Sequence, residues 1–162
     1  MSSGSRAPTP GCGICAVIDR IKADNFRDFI AELKSCYVIL GDQQFYRGYC
    51  VLFAKLHATE LYLMPADAAR LLFDEMRLVA EAIAAVVKPW KMNYECLGNS
   101  EPHVHWHLLP RYENDDQRRG PIWLRPEIER KVMLDEDDRR ALVGSIRNQL
   151  AIRFPDARFA PA

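Results

Sequence analysis

Three of the four histidines in the chain stand at alternate positions, within the run His103-Val104-His105-Trp106-His107-Leu108-Leu109. Few folds accommodate such a run. Successive side chains of a β-strand point to opposite faces. A strand here sets His103, His105 and His107 on one face and Val104, Trp106 and Leu108 on the other, where they pack into a core. A rise of about 3.3 Å per residue spaces successive imidazoles by roughly 6.5 to 7 Å. The alternation predicts a sheet with an apolar layer on one face and a row of imidazoles on the other.

The rest of the chain supplies that layer. From Pro65 to Val87, the residues Leu72, Met76, Val79, Ile83 and Val86 recur at spacings of 4, 3, 4 and 3, an apolar stripe on one face of a helix. Pro65 suits the first turn and Pro89 marks the stop. Asp135 to Ile152 predicts a second helix, with Asp135 as N-cap and Leu142, Val143, Ile146 and Leu150 as its apolar face. Phe29 to Leu40 and Gly48 to Leu56 are rich in β-branched, aromatic and aliphatic residues. They flank the turn chemistry of Gly41-Asp42-Gln43-Gln44 and predict strands in a meander. Lys91 to Leu97 reads as another strand, and His103 to Leu109 as the next, closed by Pro110. Glu113 to Gly120 is charged and reads as a solvated loop. The expected class is α+β: an antiparallel sheet of about five strands, one long helix packed on it, and a C-terminal helical extension. Residues 1–11, rich in Ser, Gly and Pro, read as a disordered tail. Residues 12–154 read as a single domain including the C-terminal helix, and residues 155–162 as a second tail.

Composition narrows the function. Lys plus Arg and Asp plus Glu both number 22, a formal net charge of zero. Such a chain has no electrostatic footprint for nucleic acid or a membrane surface, so neither is an expected partner. A phosphate-bearing ligand must be held by local groups. The longest apolar stretch, Ala68 to Val87, is broken by Arg70, Asp74, Glu75, Arg77 and Glu81 and is no membrane span. An odd cysteine count of five, with no secretory signal ahead of it, predicts a reducing, cytoplasmic setting. Cys36, Cys50 and Cys96 sit in apolar stretches and read as small buried hydrophobes. Cys12-Gly13-Ile14-Cys15 has the spacing of half a zinc site and equally of a redox pair.

Imidazole serves as metal ligand, general base or nucleophile. As a nucleophile it suits phosphorus, because a phosphoimidazole forms and breaks readily. The loop before the triad favours that use. Gly98-Asn99-Ser100 offers an amide, a hydroxyl and backbone N–H groups, donors for phosphate oxygens that add no net charge. Two other classes stay open on the residues alone. One is a metal-dependent hydrolase with the three imidazoles as ligands. The other is a nucleotide-binding protein without turnover.

The string from Gly98 to Tyr112, centred on His103-Val104-His105-Trp106-His107-Leu108-Leu109, resembles the signature of the histidine-triad (HIT) superfamily, His-φ-His-φ-His-φ-φ with φ apolar, in the version carried by bacterial HIT hydrolases. The resemblance covers about Cys12 to Tyr112. It implies a nucleotide hydrolase that cleaves at the α-phosphate of a dinucleoside polyphosphate, nucleoside phosphoramidate or similar ester, or a nucleotidyltransferase. The middle histidine, His105, would attack the phosphorus and carry the nucleotidyl group. His107 would contact the phosphate and help the leaving group, with His103 completing the triad. Asn99 and Ser100 fall where the superfamily places phosphate-contacting residues. Asn93 falls near a further phosphate- or ribose-side amide, and Asp42 in the turn that usually supplies a ribose-binding group. Some bacterial members hold zinc with a Cys-x-x-Cys pair, a histidine after the second strand region and the first triad histidine. That resemblance implies Cys12, Cys15, His57 and His103, a closed Cys₂His₂ set for a structural zinc. Many members are twofold dimers, which implies a homodimer here.

Overall fold

Leu72, Met76, Val79 and Ile83 bury one side of a 22-residue helix against a five-stranded sheet. The computed structural model describes residues 11–159. In chain order the elements are α1 (Gly13–Lys22), β1 (Phe29–Glu32), β2 (Cys36–Leu40), β3 (Cys50–Ala54), α2 (Ala66–Val87), β4 (Lys91–Glu95), β5 (His105–Arg111), α3 (Glu127–Arg130) and α4 (Glu136–Arg153). The sheet order is β1-β2-β3-β5-β4, and every neighbouring pair is antiparallel. The expected α+β class with one long helix on an antiparallel sheet is the class observed. Val104, Leu108 and the partly buried Trp106 pack into the core beneath α2, as the alternation predicts. Among the described residues, no helix is long and apolar enough to cross a membrane.

The extension beyond the triad joins the same core. Asp135 accepts the Asp138 N–H at 2.8 Å and caps α4, whose Leu142, Val143, Ile146 and Leu150 are all buried beside α2. Arg147 donates to the Phe29 and Ile30 carbonyls and ties α4 to β1. The segment expected to be a tail at 155–162 returns to the sheet over its described part, where Glu32 and Arg158 exchange backbone hydrogen bonds of 2.7 and 3.0 Å. The expected N-terminal tail lies outside the described residues apart from Gly11.

Several boundaries differ from expectation for local reasons. The stretch from Phe29 to Leu40 is a hairpin rather than one strand. Its turn is held by Glu75 of α2, a buried carboxylate that accepts the Lys34 and Ser35 N–H groups at 3.0 Å and the Ser35 hydroxyl at 2.5 Å. No local periodicity marks a turn capped from another element. β5 begins at His105, not His103, and runs through Pro110 to Arg111. The Trp90 N–H donates to the Arg111 carbonyl, so odd-numbered residues of β5 bond toward β4. Pro110 faces the other side, past the end of β3 at Cys50, where its missing N–H breaks no ladder bond. Residues 113–120 are not simply a solvated loop. Asp115 is buried there between two buried guanidiniums, accepting from Arg111 Nε at 2.8 Å and from Arg125 Nη2 at 3.2 Å. Two buried cations require such a partner. α1 is an element the sequence reading did not place. Its N-cap is Cys12, whose Sγ accepts the Cys15 N–H at 3.4 Å, and Ile14, Ile18 and Ile21 bury its inner face.

Candidate active site and metal centre

The first two triad histidines are fixed by backbone carbonyls, which can only accept. The His103 ring lies 2.8 Å from the Ala54 carbonyl through Nε2, so Nε2 carries the proton and Nδ1 is bare. The His105 ring lies 2.6 Å from the His103 carbonyl through Nδ1, so Nδ1 carries the proton and Nε2 is bare. His107 Nε2 lies 3.1 Å from that bare nitrogen and must donate to it. His107 Nδ1 therefore accepts, and its partner is the Tyr49 hydroxyl at 2.7 Å. Burial raises the Tyr49 pKa, and the Asp42 charge adds to the effect, so the phenol keeps its proton. Burial, with the charge of His105, lowers the His107 pKa to about 4. With His105 in this neutral tautomer, one directed chain runs from Tyr49 through His107 to His105 Nε2.

The three imidazoles do not form one open row. His103 is fully buried, and its bare Nδ1 points at Cys12 Sγ (3.5 Å), Cys15 Sγ (3.7 Å) and His57 Nδ1 (3.2 Å). Cys15 Sγ stands 3.5 Å from His57 Nδ1, and the four donor atoms lie within 4.8 Å of one another. The cluster joins α1, the loop after β3 and the approach to β5, and it is compatible with a metal site. Burial lowers the His103 pKa, with the charges of His57 and His105 acting in the same direction. That keeps the ring neutral, as a ligand must be. His105 and His107 remain as a pair. Their ring centroids are 4.9 Å apart at 76°, closer than strand spacing alone predicts, because the rings lean together through their hydrogen bond.

The other expected residues are not gathered by any contact with this pair among the described residues. Asn93 lies on β4 next to β5, with its side-chain carbonyl accepting from Arg111 Nη1 at 3.0 Å. Gly98 and His105 share a small recess of about 110 Å³ with Cys96 and Leu97, while Asn99 and Ser100 are exposed. Asp42 is exposed. Cys36 and Cys50 are fully buried as expected, and Cys96 is half-buried.

Sequence reasoning missed Tyr49 and Trp123. Tyr49 precedes β3, and Gly48 delivers it with φ +88°. A Cβ on Gly48 would stand 2.9 Å from Val87 Cγ1, so only glycine fits this turn. The signal was Tyr49 in alternation with Val51, which pairs with His107. Trp123 comes from the extension. Its ring sits 5.3 Å from that of His107 at 79°, and its indole N–H donates to Glu95. No spacing rule ties it to the triad.

The sheet, the long helix and the paired imidazoles define a histidine-triad protein. The sequence model of the HIT domain matches residues 22–114, more than half of the chain. The chain belongs to the HIT family, whose members are in general nucleotide hydrolases or transferases. Solved structures agree in fold. A histidine triad protein from Marinobacter aquaeolei VT8 is 24% identical with a TM-score of 0.69, over 83% of this chain and 94% of that one. A histidine triad protein from Sinorhizobium meliloti 1021 is 23% identical with a TM-score of 0.66, over 76% and 90%. A Zn-bound histidine triad family protein from Mycobacterium smegmatis is 20% identical with a TM-score of 0.64, over 88% and 95%. No curated protein matches the chain.

Proposed function

We propose that the chain is a HIT-type hydrolase that cleaves nucleotides at the α-phosphate through a nucleotidyl group on His105. The observation that carries this reading is the 2.6 Å bond from His105 Nδ1 to the His103 carbonyl, which leaves Nε2 with a free lone pair. Nε2 attacks the α-phosphorus, an N–P bond forms, and the bond from phosphorus to the leaving group breaks. His107 turns its Nε2–H from His105 to a phosphate oxygen. Water then adds to phosphorus, the N–P bond breaks, and the water's proton passes to solvent. Asn99 and Ser100 supply neutral donors to the phosphate, and Asn93 and Asp42 bind the ribose side. A transferase differs only in the acceptor that replaces water. The metal-hydrolase reading fits less well, because His103 Nδ1 points away from His105 and His107 into the cysteine cluster.

We assign Cys12, Cys15, His57 and His103 to a structural zinc. Bonds of about 2.3 Å to sulfur and 2.0–2.1 Å to nitrogen give tetrahedral edges of roughly 3.3 to 3.8 Å. Four of the six donor separations, 3.2 to 3.7 Å, lie close to these edges, and all six fall within 4.8 Å. A bound ion there closes a four-ligand shell and stabilises the fold. The Zn-bound relative supports this assignment. The free edge of β4, with Trp90 and Tyr94 exposed, supports pairing with a second copy. Cys36, Cys50 and Cys96, thiols outside the cluster, support a reducing, cytoplasmic setting.

The test is turnover of dinucleoside polyphosphates, nucleoside phosphoramidates and simple nucleotide esters, read by product chromatography. Tight nucleotide binding with no turnover of any of them would leave a binding protein. Tyr49→Phe tests the hydrogen-bond chain. Without the phenol O–H, His107 Nδ1 loses its donor, and the bond to His105 Nε2 alone holds the ring and the proton on Nε2. We expect kcat to fall about tenfold, the low end of a single polar contribution to the transition state, with KM nearly unchanged. Equal kcat in the variant and the parent would show that Tyr49 only packs.

A further inference from the structure

Gly98 to Ser100, the segment that offers neutral donors to a phosphate, has little to hold it. Asn99 and Ser100 are exposed, and neither hydrogen-bonds to any described residue. Gly98 turns the chain with φ +78°. The first firm tie is Glu101. Its backbone carbonyl accepts the His103 N–H at 2.7 Å. Its side chain reaches α1, where Oε2 accepts the Gly13 N–H at 3.0 Å. Gly13 is the first residue of that helix, so its N–H has no partner within the helix. Cys12 Sγ serves the Cys15 N–H in the same turn. The approach is close: a Cβ on Gly13 would stand 2.7 Å from Glu101 Oε1 and 2.9 Å from Cδ. A carboxylate next to a phosphate-binding loop repels its ligand unless its charge is engaged. Here the N-terminus of α1 engages it, because a helix start favours an anion. The same turn carries Cys12 and Cys15, so the loop is moored beside the cluster assigned above.

We propose that Glu101 is a positioning residue: its bond to Gly13 fixes the Gly98–Ser100 loop in the arrangement from which Asn99 and Ser100 donate to the phosphate at His105. This rests on the nucleotidyl-histidine reading above. The loop leaves from the recess that Gly98 shares with His105 and ends at Glu101, so mooring it there keeps it beside the nucleophile. A donor stabilises developing charge best when it is in place before the charge appears. Glu101 touches no reacting atom. It removes the freedom that an exposed loop would otherwise lose at every turnover.

The experiment measures kcat, KM and zinc content on whichever of the three substrate classes above the parent turns over fastest. Glu101→Ala should lower kcat about 10- to 100-fold, the scale of a misplaced contact to the transition state, with a smaller rise in KM. Glu101→Gln keeps an acceptor for the Gly13 N–H and should stay within a few-fold of the parent. Gly13→Ala breaks the contact from the other side, because its methyl displaces the Glu101 carboxylate. Alanine favours a helix over glycine, so α1 should keep its structure while kcat falls as in Glu101→Ala. Ser100→Ala separates aiming from packing. Because Glu101 acts by placing Ser100, Glu101→Ala with Ser100→Ala should lose less than the product of the two single losses. Losses that multiply, or a Glu101→Ala protein with parental kcat, overturn the proposal and leave the hydrolase reading standing. So does a Glu101→Ala protein whose kcat falls only in step with its zinc content, since the residue then supports the cluster alone. A parent that turns over none of the three classes removes that reading and the proposal with it.

Discussion

His105→Asn is expected to lower kcat by about 10⁴-fold or more, on the scale seen when a nucleophile is removed from an enzyme that forms a covalent intermediate. Nucleotide affinity should stay within a few-fold. The asparagine amide has no basic lone pair to offer phosphorus, whereas His105 Nε2 is bare because its Nδ1 proton is committed to the His103 carbonyl. The groups proposed to hold the phosphate and the ribose lie on other residues and remain. His105→Gly opens the same position, and added imidazole should restore part of the rate by supplying the nitrogen from solution. A substrate labelled at the α-phosphate, quenched during turnover, should leave label on the peptide containing His105. The bond should survive base and break in acid, as a phosphoramidate does. Zinc content measured alongside must be unchanged, because His103 keeps its own ligand geometry. A His105→Asn protein that turns over at near the parental rate, with no label trapped in the parent, would remove the mechanism.

The alternation of His103 to Leu109 was enough to place a strand and its buried face. The stripe on α2 and the Asp135 cap on α4 were equally plain. In each case the signal is local and periodic, and the tertiary fold obeys it. What the alternation could not show is that the histidines divide. His103 precedes β5, its N–H bonds to the Glu101 carbonyl at 2.7 Å, and its ring turns to the cysteines. His105 and His107 stay on the strand. The Cys-x-x-Cys spacing and the lone His57 anticipated that cluster only with help from the family resemblance. α1 went unread because a cysteine caps it in place of the usual Ser, Thr, Asp or Asn. Tyr49 and Trp123 lie outside the named helices and strands, on segments whose course is set by Gly48, by the buried Arg111–Asp115–Arg125 network and by contacts far apart in sequence. No window of the sequence contains both members of those contacts.

Purified protein should carry about one zinc per chain, and Cys12→Ser should lose the metal together with much of the stability. The expected cost is about 3 kcal/mol or more, a fall in Tm of about 6 to 12 °C for a domain of this size. The magnitude follows from what the cluster joins. Cys12 and Cys15 belong to the start of α1, His57 to the loop after β3 and His103 to the entry of β5. Without the ion, weak hydrogen bonds among two buried thiols and two imidazoles replace the metal bonds, and α1 leans mainly on its isoleucine face. Cys96→Ser, at a half-buried thiol outside the cluster, is the control and should retain both metal and Tm. The same loss should reach the chemistry. The His103 carbonyl that holds the His105 Nδ1 proton belongs to a residue anchored by the cluster, so chelation should lower kcat more than it raises KM. Added zinc should restore both Tm and kcat in the parent and neither in Cys12→Ser. Protein that purifies without metal, and whose Tm and kcat ignore both chelator and zinc, would show that the four donors meet without an ion and that hydrogen bonding alone holds the His103 carbonyl in place.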